Sequence, residues 1–175
     1  MYLNHIQLKA ARCVLNLRVR DIGLLIEVSR TTISKLENNI IKISEMRLSD
    51  RRNTILQEFF KKHCISFPND HSIIFSSPDH IISKQVSNKN NFTRFQLRAA
   101  RTALNKTQLE LANAINVSPS IIKQAEKHNN QDILKFKDNT TIAHLLNIFM
   151  QEGIEFSGIF SIDFKKLVDA SCDKC

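Results

Sequence analysis

The sequence has few of the residues that build tight turns, and it contains no tryptophan. Only 3 glycines and 3 prolines occur among 175 residues, and these residue types supply the backbone geometry of most β-turns. An all-β fold is therefore disfavoured and a mainly α fold is predicted. The longest apolar run, residues 22–26, is far shorter than the roughly 20 residues of a membrane-spanning helix. No membrane partner is expected, and the N-terminus shows no apolar signal core, so we expect a cytoplasmic protein.

Cysteine is also scarce, with single residues at positions 13, 64, 172 and 175. Four are too few for a disulfide framework in a chain of this length. Cys172 and Cys175 have the spacing of half a zinc site, but only His63, Cys64 and His71 could complete it. We therefore expect a mobile, reduced tail, with no metal and no cofactor. Motifs typical of catalysis, such as a glycine-rich phosphate loop or a nucleophile elbow, are absent from the sequence, so an enzyme is not expected.

An internal repeat organises the chain at an offset of 89 residues. Residues 6–38 and 95–127 align without a gap, with 12 of 33 positions identical. The same register continues to residues 75 and 164, which is too long for a chance match. The predicted domains are residues 1–75 and 95–164, separated by a polar linker over 76–94 and followed by a tail over 165–175.

Helical periodicity and capping residues define the elements of each copy. In the second copy, Thr107 and Glu110 form a predicted capping box, and Ser118 is a predicted N-cap followed by Pro119. A later helix is predicted from about Thr140 to Glu152, ending before Gly153. Short strands are predicted over 154–156 and 161–164, and in the first copy over 65–67 and 72–75.

The segment TQLELANAINVSPSIIKQAE resembles the helix-turn-helix of the Cro/phage-repressor (XRE-like) family. The resemblance lies in the Thr107–Gln108 opening, the Leu111–Ala112 pair, the Val117–Ser118 corner, and Ile122 and Glu126 behind it. It implies a tandem duplication of a five-helix repressor-like domain, each copy followed by short β-strands that can pair. It also implies a transcriptional regulator of bacterial or phage origin that binds double-stranded DNA in the nucleoid.

In this family the third helix enters the major groove, which assigns the reading role to residues 29–38 and 118–127. By position, the predicted DNA-binding residues of the first copy are Arg30, Thr31, Thr32, Ser34 and Lys35, together with Arg18. Those of the second copy are Ser120, Ile121, Lys123 and Gln124, with Gln108 at a phosphate and Pro119 beside the readers. The family's hydroxyl cap and glutamine are replaced in the first copy by Arg18 and Val19.

Charge divides the two copies. The whole chain has a formal charge of +8, residues 6–75 carry +5, and residues 95–164 carry zero. Because phosphate binding depends on cationic contacts, the first copy is expected to bind DNA more strongly. The neutral second copy leaves an alternative function open: a protein-interaction module, such as an anti-activator or antirepressor, in which one or both copies have lost DNA reading.

Several further expectations concern structure. Arg12 and Arg101 are expected to pair with Glu37 and Glu126 inside each copy. The cations at 51, 52, 61 and 62 are expected to form a solvated face. The copies could associate as an intramolecular pseudo-dimer through strands 72–75 and 161–164, or two chains could form a homodimer through those same strand edges.

Overall fold

The computed structural model describes residues 1–47, 49–76, 91–127, 129–138 and 140–172, with only the backbone given for residues 171 and 172. Across these ranges the protein is mainly helical and carries a small antiparallel sheet of four strands. We refer to residues 1–76 as the first half and to residues 91–172 as the second half. The predicted mainly α fold is confirmed.

The first half contains four α-helices, one 3-10 turn and two strands. The helices are α1 (His5–Val14), α2 (Val19–Leu25), α3 (Arg30–Glu37) and α4 (Ser49–Lys62), with the 3-10 turn at Ile43–Glu45 before α4. The strands β1 (Ile65–Ser66) and β2 (Ser72–Phe75) follow. Asn4 starts α1 with a capping box. The backbone amide of Gln7 donates to the Asn4 side chain, and the backbone amide of Asn4 donates to the Gln7 side chain.

The second half repeats this order and adds one helix. Its elements are α5 (Arg94–Ala103), α6 (Gln108–Ala114), α7 (Pro119–Ala125), α8 (Thr140–Gln151), β3 (Glu155–Gly158), β4 (Ser161–Asp163) and α9 (Lys165–Cys172). Gly153 follows α8 with a φ of 88°, so the predicted left-handed end of this helix is confirmed.

The sheet joins the two halves in the strand order β1-β2-β4-β3. At its centre Ile73 faces Ile162, and these residues are 89 positions apart. The flanking hydrogen bonds run from Phe75 N to Phe160 O (2.9 Å) and from Phe164 N to His71 O (2.7 Å). Each of these bonds maps onto the other when 89 is added or subtracted. An approximate two-fold axis therefore passes between β2 and β4.

This arrangement is the strand pairing predicted for an intramolecular pseudo-dimer. This pairing is incompatible with the alternative, a homodimer in which two chains pair through strands 72–75 and 161–164. Each inner strand already has a neighbour on both sides, β1 and β4 for β2, and β2 and β3 for β4. No backbone edge of β2 or β4 remains for a second chain.

Helices α1 and α5 pack against each other across the same axis and complete a continuous core. Both helices carry fully buried small residues: Ala10 and Ala11 in α1, and Ala99 and Ala100 in α5. The Phe75 and Phe95 rings meet between the halves at a centroid distance of 5.6 Å. Small residues allow the two helices to approach closely, and the aromatic pair fills the space next to the sheet.

Two expectations about the connecting segments are wrong in part. The predicted linker ran to residue 94, yet Phe92, Thr93 and Arg94 are at most 2% exposed, because Thr93 caps α5 and the Phe92 ring joins the core. The predicted tail forms helix α9 as far as Cys172, because Leu167 and Val168 pack on the core. Residues 77–90, and the side chains of both tail cysteines, lie outside the described part of the chain.

Candidate nucleic-acid interface

Helices α2 and α3 form a compact pair joined by the four residues 26–29. Val28 N donates to Gly23 O at 2.8 Å, and a Cβ on Gly23 would lie 2.8 Å from Val28 O. The same bond in the second half, from Val117 N to Ala112 O, is longer at 3.0 Å, so a Cβ at this position goes with a slightly wider turn. Ser29 starts α3, because its hydroxyl accepts from the amide of Thr32 at 3.0 Å. These contacts fix the direction in which α3 leaves the turn.

Arg52 holds that turn from α4. Its Nε donates to Ile26 O at 3.0 Å, and its Nη1 donates to the carbonyl of Arg47. Arg52 was expected on a solvated face together with Arg51, Lys61 and Lys62. That expectation is wrong for Arg52, which is half-buried, whereas the other three side chains are exposed.

Helices α6 and α7 form the equivalent pair of the second half. The predicted capping box is confirmed: Glu110 N donates to the Thr107 hydroxyl at 3.1 Å, and Thr107 N donates to the Glu110 carboxylate at 2.7 Å. The backbone amide of Thr107, and then its hydroxyl, lower the pKa of the Glu110 carboxyl. Ser118 occupies the N-cap position, but its hydroxyl pairs with the Ser120 hydroxyl at 2.8 Å instead of capping α7. The capping role predicted for the Ser118 side chain is therefore wrong.

A buried arginine–glutamate pair ties the end of each of these helix pairs to the preceding helix. Arg12 Nε and Nη2 lie 2.5 and 2.7 Å from the Glu37 carboxylate oxygens. Arg101 makes the same pair of bonds to Glu126, at 2.5 and 2.9 Å. Burial lowers the pKa of Arg12, but the hydrogen bond and charge of Glu37 together with the neighbouring Cys13 raise it by more and leave the pKa above its ordinary value. Both predicted pairings are confirmed.

The outer face of α3 presents most of the residues predicted to read DNA. Arg30, Thr31, Ser34 and Lys35 are exposed, and Thr32 is half-buried. The Thr32 hydroxyl contacts the Ser29 hydroxyl at 2.9 Å. Among the described residues, neither the Arg30 guanidinium nor the Lys35 ammonium has a hydrogen-bond or salt-bridge partner. Two exposed cationic donors thus lie on one short helix, and no described residue pairs with either of them.

The remaining predicted residue at this face of the first half is Arg18. Its side chain is exposed, and its backbone amide donates to Asp21 at 2.7 Å. Asp21 thereby satisfies one amide at the start of α2, although no side-chain oxygen caps the helix from position 18.

The outer face of α7 has a different chemistry. Ser120, Lys123 and Gln124 are exposed, and Ile121 presents 38% of its surface. The predicted phosphate ligand Gln108 donates instead to the buried Glu126 carboxylate at 2.8 Å. Its side chain therefore already has a partner inside the second half.

Sequence reasoning did not single out two further exposed positions, Arg20 on α2 and Leu109 on α6. They are 89 residues apart, each the second residue of its helix, α2 or α6. Arg20 is exposed and Leu109 is 55% exposed. A position-by-position comparison of the two copies would have found this exchange of a cation for an apolar side chain.

No family model, curated protein or solved structure matches the chain. Within the residues that the structure describes, no helix is both long and apolar enough to cross a membrane. The same residues contain no cluster of three or more histidine, cysteine, aspartate or glutamate side chains placed to hold a metal ion.

Proposed function

We propose that this protein is a sequence-specific DNA-binding transcriptional regulator with two helix-turn-helix units, similar to the Cro/phage-repressor (XRE-like) regulators. The observation that carries the proposal is the outer face of α3, where Arg30 and Lys35 are exposed beside Thr31 and Ser34 and have no ion-pair partner within the described part of the chain. Arginine and lysine donate to guanine O6 and N7, while threonine contacts the thymine methyl. In this proposal α3 enters the major groove.

We further propose that the chain arose by tandem duplication of one such unit. Equivalent residues in the two halves make equivalent contacts, which supports this origin. Gln7 Nε2 donates to Asn69 O, and Gln96 Nε2 donates to Gly158 O, each at 2.7 Å. Both donors and both acceptors are separated by 89 residues. The side-chain donor and the backbone acceptor of one half therefore both match those of the other half at the same offset. Two unrelated units with the same order of helices would not be expected to share this contact.

The two-fold arrangement suits the proposed partner. Regulators of this kind normally place two recognition helices in successive major grooves, about 34 Å apart, by forming dimers. Here α3 and α7 are related by the axis between β2 and β4, so a single chain supplies both helices. A second copy of the protein is not needed to complete such a pair.

The first half carries most of the proposed DNA contact. Its residues 6–75 hold the +5 charge, whereas residues 95–164 are neutral. The second half offers Lys123 and Gln124 for base or phosphate contact, but it replaces Arg20 and Thr32 by Leu109 and Ile121. We therefore expect α3 to determine affinity and α7 to contribute less.

The experiment that tests this function is selection of binding sites from a random DNA library by the purified full-length protein at near-physiological salt. We expect enrichment of a site, with loss of most affinity in Arg30→Ala/Lys35→Ala, roughly 1–3 kcal/mol for each base contact removed. The matched control is Lys123→Ala/Gln124→Ala on α7, which should lose less. Raising the salt should weaken the wild-type protein more steeply than the α3 variant. Absence of any enriched sequence would refute the proposal.

A second candidate function is a protein-interaction module, and the outer face of the second half favours it. Leu109 on α6 is 55% exposed and Ile121 on α7 is 38% exposed, and Pro119 is the first residue of α7. Exposed apolar side chains of this kind are unfavourable against phosphates and suit a protein partner. If the selection fails while Leu109→Ser/Ile121→Ser abolishes regulation in cells, the second candidate replaces the first.

A further inference from the structure

A cavity of about 300 Å³ lies between the start of α1, the segment that follows α3, and helix α9. Leu3, Leu8, Leu36, Ile41, Ile43 and Val168 supply its apolar lining, and polar side chains such as His5, Asn39, Lys42 and Ser44 lie among them. We call it the N-terminal cavity. Its volume is at the lower end of the range for sites that hold small molecules, about 300–1,000 Å³.

The positions equivalent to this lining carry different residues in the second half. Position 94, equivalent to His5, is an arginine, and position 92, equivalent to Leu3, is a phenylalanine. Arg94 extends from α5 to the backbone carbonyl of Glu126 at 3.1 Å and to the Asn130 side chain. Asn130 is in turn equivalent to Ile41, which lines the N-terminal cavity. The buried Arg94 also donates from Nη1 to Val14 O of the first half at 2.7 Å, whereas His5 at the equivalent position lines the N-terminal cavity.

The lining of the N-terminal cavity identifies the chemistry of its occupant. Lys42 is exposed and carries the positive charge of the lining. No carboxylate among the described residues lines the cavity, although the Glu45 carboxylate accepts a hydrogen bond from the Lys42 backbone amide at 3.0 Å just outside it. Burial, and then the charge of Lys9, lower the pKa of His5, so its imidazole is neutral at neutral pH. A ligand therefore meets apolar walls, a neutral imidazole and one cation.

We propose that the N-terminal cavity binds a small amphipathic carboxylate, with its apolar body between Leu8, Leu36 and Val168 and its anionic head near Lys42. The volume of the cavity limits the length of the ligand's hydrocarbon chain and suits a medium-chain fatty acid or a molecule of similar size. Opposite charge at the exposed end selects the head group, and burial of apolar surface provides most of the affinity.

The location of the cavity gives the ligand a route to DNA binding. Leu36 belongs to the last turn of α3, and Asn39 follows α3 in the left-handed conformation with a φ of 56°. A ligand in the cavity therefore contacts the end of the proposed reading helix. This link to regulation rests on the proposed function, whereas ligand binding does not depend on it.

Isothermal titration calorimetry of the full chain with sodium decanoate tests the proposal, with decyltrimethylammonium as a probe of equal chain length and opposite charge. We expect saturable binding of one decanoate and at least tenfold weaker binding of the cation. Ser44→Trp places a large ring at the cavity and should abolish binding, whereas Ser44→Ala should retain it.

Lys42→Gln tests the head group without altering the apolar walls. It should weaken decanoate binding about threefold, as expected for an exposed charge pair, and reduce the discrimination between the two probes. Lys62→Gln, an exposed lysine on α4 outside the cavity, is the matched control and should have no effect. Absence of decanoate binding, equal binding of both probes, or unchanged binding in Ser44→Trp with a native circular dichroism spectrum would overturn the proposal. Because DNA is not present in this experiment, its failure would leave the proposed regulator untouched.

Discussion

Replacing the buried arginine of each half by methionine should lower the free energy of unfolding by different amounts. Arg12 and Arg101 are 89 residues apart, and each donates two hydrogen bonds to a buried glutamate and one to a backbone carbonyl. Methionine keeps an apolar stem of similar length but leaves the carboxylate without its counterion. Removing one partner of such a buried pair costs roughly 3–5 kcal/mol.

The two glutamates differ in the donor that remains. Glu126 keeps the bond from Gln108 Nε2 at 2.8 Å, whereas the equivalent position in the first half is Val19, which has no side-chain donor. A hydrogen bond to a charged group contributes about 1.5–3 kcal/mol. We therefore expect Arg12→Met to cost about 1.5–3 kcal/mol more than Arg101→Met.

Urea unfolding of the full chain, followed by far-UV circular dichroism, measures both losses. The shared sheet and the α1–α5 contact predict a single cooperative transition for both halves. Lys62→Met on the exposed face of α4 is the control and should change stability by less than about 0.5 kcal/mol. Adding Gln108→Val to Arg101→Met should bring its loss up to that of Arg12→Met. Equal losses for the two single variants would refute the role given to Gln108.

Three further outcomes are expected. Gly153→Ala should destabilise by about 1–2 kcal/mol in thermal unfolding, because φ is 88° and the new Cβ would lie 2.9 Å from Lys166 Cβ; a neutral result would contradict the strain. Thr107 lowers the pKa of the Glu110 carboxyl, so the ionised carboxylate should stabilise the fold at any pH above the ordinary glutamate pKa. This stabilisation should disappear as the pH falls through the lowered pKa. An NMR titration of Glu110 and unfolding at several pH values measure the two effects. Light scattering should give the single-chain mass of 20.1 kDa, whereas a doubled mass would contradict the intramolecular pseudo-dimer.

Local sequence signals predicted the helices well where a residue has one favoured structural role. Thr107 with Glu110, and the glycine at 153, marked helix ends that the structure confirms. The identical Arg12 and Glu37 positions in the repeat predicted the buried pairs, because an arginine held 25 residues from a glutamate in both copies suggests a contact between them.

Features that depend on tertiary contacts could not be predicted in the same way. The average composition of residues 76–94 is polar, so the burial of Phe92 and Arg94 at the end of this segment could not be predicted from it. The tail was too short for a helical period to be convincing, and α9 is stabilised by packing against the core. The candidate DNA face was predicted by position, yet the engagement of Gln108 with Glu126 depends on side-chain geometry that a family resemblance does not supply.

The axis at Ile73 and Ile162 has a consequence for how this protein can evolve. In a homodimer, every substitution appears twice, so both recognition helices and both halves of the target must change together. Here the two helix pairs are encoded separately within one chain, and the first three residues are Arg-Thr-Thr in α3 and Pro-Ser-Ile in α7. Each helix can therefore change its specificity independently, while the shared sheet and the α1–α5 contact preserve the fold. Under the proposed function, the DNA target of this chain need not be a palindrome.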